Sequence, residues 1–158
     1  MANERSTATL LQLLDAAYQR RTGRTLGAEL CPEIAQSEGV EACHAWIHQR
    51  APFGLLAHNG QDDPRFIYAN ASALRIFEYS REEFMRLPSR LSAADEQQPE
   101  RQRILDEVRT RGIAYGYAGI RIARSGRLFQ VHDGVIWEVE DEHGERLGQA
   151  ALIRASPS

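Results

Sequence analysis

Between Thr7 and Arg21 the apolar residues Leu10, Leu11, Leu13, Leu14, Ala17 and Tyr18 recur at helical spacing. This predicts an amphipathic helix, with Ser6 or Thr7 as its N-cap and Gly23 as its stop. Pro32 suits the first turn of a second helical region, which runs on or restarts through Val40, Cys43, His44, Trp46 and Ile47 and ends before Pro52. Beyond Pro52 the register changes. Residues 53–58 read as a strand, Asn59-Gly60 with Asp62-Asp63-Pro64 as a turn, and residues 65–69 as a second strand. Asn70 is placed to cap a short helix carrying Leu74, Ile76 and Phe77, and Ser80 to cap another, with Glu83 completing a capping box. Pro88 breaks that run. A longer amphipathic helix follows Pro99, with Ile104, Leu105 and Val108 on one face and Gly112 at its end. Residues 114–123, 127–138 and 146–153 then alternate as strands, joined at Ser125-Gly126 and at Glu142-His143-Gly144, and residues 155–158 are expected to fray.

Two strands, a run of helices and a three-stranded meander suit an α+β architecture. It would be a five-stranded antiparallel sheet with short helices on one face. Residues 1–50 form an N-terminal helical extension in this reading, and residues 51–154 the domain proper. With 158 residues and 42% hydrophobic content, one buried core is expected. A net charge of −3 removes any general attraction to a phosphate backbone or an anionic membrane, so neither nucleic acid nor membrane is an expected partner. No apolar h-region follows the first residues and no run approaches the roughly 18 apolar residues of a membrane span, which points to the cytoplasm. Cys31 and Cys43 make neither a disulfide framework nor a CxxC pair, and are read as reduced, semi-buried thiols.

The element order is that of a PAS domain. The strand-Asn-helix run Phe66-Ile67-Tyr68-Ala69-Asn70-Ala71-Ser72-Ala73-Leu74, followed by Phe77 to Phe84, looks like the signature such domains share. His58-Asn59-Gly60, Asp63-Pro64, Leu87-Pro88-Ser89-Arg90-Leu91-Ser92-Ala93, Ser125-Gly126-Arg127 and Gly148-Gln149-Ala150-Ala151 together resemble the MEKHLA family over residues 46–153. That family occurs as free-standing bacterial proteins and as the C-terminal domain of plant class III homeodomain-leucine-zipper factors. No homeodomain or heptad zipper is present here, so only the sensory or dimerising part of that function carries over. The Asn70 side chain is placed to cap the helix that leaves the strand, and His58, on a strand, reads as a satisfied structural residue rather than a ligand.

Catalysis, flavin photochemistry and haem binding each fail on particular residues. His58, His132, Asp133 and Ser89 lack the GxSxG elbow of a Ser-His-Asp hydrolase, so no enzyme is expected. Light-sensing PAS domains place a cysteine before an arginine where this chain has Ser89-Arg90, which rules out a cysteine-flavin adduct there. Aligning the last hairpins on Gly126 and Gly148 puts Arg121, Val131 and Ala150 where such domains carry flavin-facing amides. The helix after Pro99 holds no histidine to ligate haem, and the scattered histidines have no zinc spacing with the two cysteines. No particular cofactor is implied.

What remains is a pocket between sheet and helices. Strict alternation turns Phe129, Val131, Asp133, Val135 and Trp137 toward the helices, with Arg121 facing the same way from the neighbouring strand. Buried among apolar groups, Arg121 needs an anion. Either Asp133 pairs with it inside a closed core, or Arg121, helped by Arg90, receives an acidic or carbonyl-bearing small ligand. Ser89 and Tyr68 complete the candidate lining. A cavity of about 300 Å³ or more would separate a ligand-binding module from an interaction module with a filled core. Alternation also puts Ile120, Ile122, Leu128 and Ile136 on the opposite face, covered either by the N-terminal helix or by a second chain. Leu10, Leu13, Leu14 and Tyr18 are accordingly candidate homodimer contacts.

Overall fold

The computed structural model describes residues 5–93 and 98–157. Helix α1 (Thr7–Thr22) begins where Ser6 Oγ accepts a hydrogen bond from the Thr9 amide, and ends at Gly23, whose φ of 79° suits a residue without a side chain. Three shorter helices follow: α2 (Leu26–Leu30), α3 (Pro32–Glu38) and α4 (Val40–Gln49). The first of these was not expected. It forms because the Thr25 hydroxyl caps it and because Asp15 Oδ1 accepts from the Leu26 amide at 2.8 Å. Asp15 Oδ2 lies 2.7 Å from His44 Nε2, so one buried carboxylate ties α1, α2 and α4 together.

Five antiparallel strands follow: β1 (Gly54–Asn59), β2 (Phe66–Ala69), β3 (Ile113–Ile122), β4 (Leu128–Glu140) and β5 (Arg146–Pro157), in the order β2-β1-β5-β4-β3. Strand β5 runs past the expected frayed end because Val131 and Phe129 of β4 pair with Ala155 and Pro157. Helices α5 (Ala71–Phe77) and α6 (Arg81–Phe84), a 3₁₀ turn (Ser89–Ser92) and α7 (Gln98–Arg111) lie between β2 and β3. The Ser80-Glu83 capping box is present. Asn70 is wholly buried and fully used. Its Oδ1 accepts from Ala73 N and Leu55 N, both at 3.0 Å, and its Nδ2 donates to Ile47 O and Phe53 O. One side chain thus caps α5 and fastens β1 to the end of α4.

The two faces of the sheet carry separate cores. Leu55, Ala57, Trp137, Val139, Ala150 and Leu152 pack under Leu10, Leu14, Ala17 and Tyr18 of α1. On the opposite face Leu56, Phe129, Val131 and Ile153 pack against Ala73, Phe77 and Phe84, and Ile104 and Val108 of α7 cover Ala114.

Strict alternation fails within β4. The register shifts between His132 and Val135, where Asp133 adopts a left-handed φ of 54° ahead of Gly134. This β-bulge inserts one residue and exchanges the faces of everything after it. Val135 and Trp137 therefore face α1 rather than α5–α7, and Ile136, expected on the outer face, turns inward to pack against the α7 cluster. Leu10, Leu14 and Tyr18 are used up inside the chain. Tyr18 meets Trp137 edge to face at 5.0 Å, and the Trp137 indole N–H donates to Leu14 O at 3.1 Å.

Candidate functional site

Between the inner face of the sheet and α5, the 3₁₀ turn and α7 lies a cavity of about 230 Å³, walled by Leu56, Phe66, Phe77, Ile104, Val131 and Ile136. That is less than the roughly 300 Å³ typical of a drug-sized ligand. It exceeds an engineered 150 Å³ apolar cavity that takes up benzene, so its capacity is one ring or a short chain with a polar group.

Arg121 reaches this cavity from β3, opposite Phe129 in the register. Its guanidinium donates to the hydroxyls of Tyr117, at 3.2 Å, and of Ser92, and stands 5.9 Å from the centre of the Phe77 ring. Arg121 Nε is buried and has no acceptor. Among the described residues every hydrogen-bond partner of this cation is neutral, and no carboxylate lies within ion-pairing distance. Asp133, the expected counter-charge, is on the bulge with its side chain 78% exposed and pairs instead with His132 at 3.0 Å. The αL turn that exchanges the strand's faces also carries Asp133 out to solvent.

Glycines shape the floor. A methyl group at Gly119 would stand 3.1 Å from the Tyr117 hydroxyl, and one at Gly134 would stand 3.0 Å from the Tyr117 ring. The Tyr117 ring lies across these two bare positions and so brings its hydroxyl to Arg121. Ser92, fully buried, donates to Ser89 O at 2.7 Å while accepting from Arg121, and a backbone bridge between Ala93 and Arg121 joins the same two segments. Arg121 is thus the tie between the sheet and the 3₁₀ turn.

At the other end of the cavity His58 Nδ1 lies 2.9 Å from Asn59 O, an arrangement in which Nδ1 donates and Nε2 is left as the acceptor of the neutral ring. Burial holds His58 below its ordinary value, and the charges of Arg121 and Arg146 push the same way. Glu138 neutralises Arg146 at 2.6 Å and accepts from Gln149 Nε2 at 3.1 Å. Ser89 and Arg90 stand at the mouth, where Arg90 pairs with Asp63 and both are exposed.

Of the residues singled out in the sequence, Arg121, Val131, Ser89, Arg90 and His58 line the cavity. Phe129 faces the helices but is sealed in the aromatic cluster against Phe77 at 5.1 Å. Tyr68 and Trp137 do not reach the cavity. Tyr68 is on the other face, with its hydroxyl 2.8 Å from His48 Nδ1. Ala150 belongs to the core under α1 yet also borders the cavity beside Gln149, whose amide stands on the inner face of β5. Tyr117, Ser92, Arg146 and Gln149 were missed. The signals that carried them were the glycines flanking Tyr117 and the Asp-Gly step in β4. Cys31 and Cys43 are buried among the N-terminal helices and neither lines the cavity, so it offers no thiol to a flavin.

The MEKHLA domain model matches residues 8–156. The chain belongs to the MEKHLA domain family. The match takes in α1, beyond the 46–153 span of the sequence motifs. Solved PAS domains share the fold of this MEKHLA chain. One from Colwellia psychrerythraea, at 12% identity and a TM-score of 0.60, covers 71% of this chain and 92% of its own. A PAS domain from a two-component sensor histidine kinase, at 22% identity and 0.58, covers 73% and 95%. The LOV domain of a blue-light activated histidine kinase from Erythrobacter litoralis, at 19% identity and 0.56, covers 69% and 100%. No curated protein matches the chain. Among the described residues no helix is long and apolar enough to cross a membrane, and no cluster of His, Cys, Asp and Glu is arranged to hold a metal ion.

Proposed function

We propose that this MEKHLA domain is a sensory module that binds a small carboxylate, of about ten non-hydrogen atoms, in the cavity beneath its sheet. The observation that carries this reading is Arg121, a permanent cation in an apolar cavity whose partners among the described residues are neutral hydroxyls and whose buried Nε has no acceptor among them. A guanidinium cannot lose its charge on burial, and two neutral donors-turned-acceptors offset its desolvation less well than a carboxylate does. Val131 and Phe77 offer the apolar wall, Ser92 and Tyr117 are the partners a carboxylate would replace, and Ser89 and Arg90 flank the entrance. Because Arg121 ties β3 to the 3₁₀ turn through Ser92, exchanging that hydroxyl for a ligand would loosen the turn and carry the signal outward, to a partner or a second copy.

The test is a thermal-shift series with benzoate, phenylacetate and hexanoate against chloride at matched ionic strength. A saturable rise in Tm with one of the acids, absent in Arg121→Met and only weakened in Arg90→Met, supports the reading. No acid-dependent rise, or an equal rise in Arg121→Met, ends it.

A second reading, self-association, is favoured by apolar residues exposed on the outer half of the sheet, beyond α1. Leu128 there is 47% exposed, and Ile122 beside it is half-buried. Sedimentation of the parent and of Leu128→Lys distinguishes this: a dimer that the lysine dissolves supports it, and a monomeric parent removes it.

A further inference from the structure

Away from the cavity, the last turns of α1 and α7 and the start of β5 converge on an open cleft of about 860 Å³. Arg20 and Arg21 enter it from α1, Arg109 and Arg111 from α7, and Arg146 from β5. Glu140 is shared by Arg20 and Arg21, and Glu138 pairs with Arg146. Among the described residues, five arginines against two carboxylates leave a surplus of three positive charges, in a chain whose net charge is −3. The carbonyl ends of two helices offset at most about one unit of this, at roughly half a charge each. Arg109 and Arg111 are exposed and have no counter-ion among the described residues. Arg21 is only 17% exposed in its side chain and lies flat over the end of α7. A methyl group at Gly112 would stand 2.6 Å from Arg21 Nε, which is buried without an acceptor.

Ordinary helix-end solvation accounts for Arg109 or Arg111 taken singly. It does not account for five guanidinium groups from three separate elements around one concavity, two of them competing for a single carboxylate. We propose that this cleft is a second binding site, for a phosphate-bearing small molecule with at least two negative charges. Planar guanidinium forks match phosphate oxygens two at a time, and a concave surface of one sign concentrates the field on such a ligand. The cleft shares Leu105, Arg146 and Gln149 with the carboxylate cavity, but its charge surplus does not involve Arg121, so it stands or falls separately from the proposed function.

Inorganic pyrophosphate is the probe, titrated calorimetrically into the full chain at constant ionic strength, with sulfate as the control. The expected result is one saturable site for pyrophosphate, at least tenfold weaker in Arg109→Gln/Arg111→Gln and unchanged in Arg121→Met. Both substituted arginines are exposed, so the double variant should melt with the parent; Arg111→Gln alone, with an intermediate loss, guards against a folding defect. Heats no larger than those of sulfate, or an unchanged affinity in the double variant, overturn the proposal. Anionic phospholipid vesicles that sediment the protein through the same arginines, with no binding of free pyrophosphate, overturn the small-molecule assignment.

Discussion

The two faces of one sheet have opposite fates in this protein. Toward α1 the surface is filled: Trp137 is fully buried, stacked edge-on by Tyr18 and hydrogen-bonded to the backbone of α1. Toward α5–α7 the same strands leave a hollow, and the polar group at its edge, Arg121, is held among the described residues by hydroxyls. Close packing is the rule for interiors, and a gap of this size forfeits the dispersion contacts of everything lining it. Under the proposed function this hollow is the room a ligand would fill.

Substitutions on the two faces should therefore differ in cost. Trp137→Ala is expected to lose about 3–5 kcal/mol in urea denaturation, as a large aromatic removed from a closed core. Ile136→Ala, next in sequence but lining the hollow, is expected to lose only about 2 kcal/mol, since part of its surface already faces empty space. Equal losses would mean that the two faces are packed alike.

Arg121→Met sharpens the contrast. Breaking a buried ion pair costs about 3–5 kcal/mol because a charge is stranded, but among the described residues Arg121 has no carboxylate to leave behind. Stability in the absence of ligand should stay within about 1 kcal/mol of the parent. A loss of several kcal/mol would reveal a counter-charge outside the described residues.

His58 gives the hollow face a pH signature. Its folded value lies below 6.5 through burial, so the unfolded chain takes up the proton more readily. The stability contributed by neutral His58 is present above about pH 6.5 and is lost as the pH falls through the lower folded value. Urea midpoints should fall between about pH 7.5 and about pH 5, and His58→Gln should flatten part of that slope. Part of the remaining slope belongs to His48, which burial beside Arg81 lowers in the same sense, and part, toward pH 5, to carboxylates such as Glu140 that folding holds below their ordinary values. A parent midpoint that does not move over this range would mean that His58 is solvated.

The smallest effect is expected at the bulge. Asp133 holds a left-handed backbone that costs an L-residue about 1–2 kcal/mol, most of which Gly recovers. Asp133→Gly should change stability by less than about 1 kcal/mol, in the stabilising direction. Had Asp133 been the partner of Arg121, the same change would have been strongly destabilising.

That bulge also marks how far the sequence could be read. Element order, the Asn70 cap, the Ser80-Glu83 box and the inward turn of Arg121 were legible because each depends on local chemistry: a side chain meeting a nearby amide, or a hairpin of known register. Asp133, Val135, Ile136 and Trp137 were misplaced for one common reason. Period-two alternation carries no memory of an inserted residue, and Asp-Gly within a long apolar run marks such an insertion only once the pairing strand is seen. Tyr117 and Ser92 were invisible for a different reason, since they reach Arg121 from positions 4 and 29 residues away. The surplus charge of the arginine cleft was hidden in a near-neutral total.

The bond from the Trp137 indole to the Leu14 carbonyl bears on how this domain can be moved between proteins. A graft of residues 51–154 into a sensor chimera would carry a sheet whose Leu55, Ala57, Trp137 and Leu152 have lost their cover, and such a surface adheres to whatever apolar material is near. The transplantable unit is expected to begin at Ser6, where the cap of α1 lies. A fusion joined there keeps the helix that shields the sheet, whereas a fusion joined at residue 51 is expected to aggregate, and comparing the soluble yield of the two would show it.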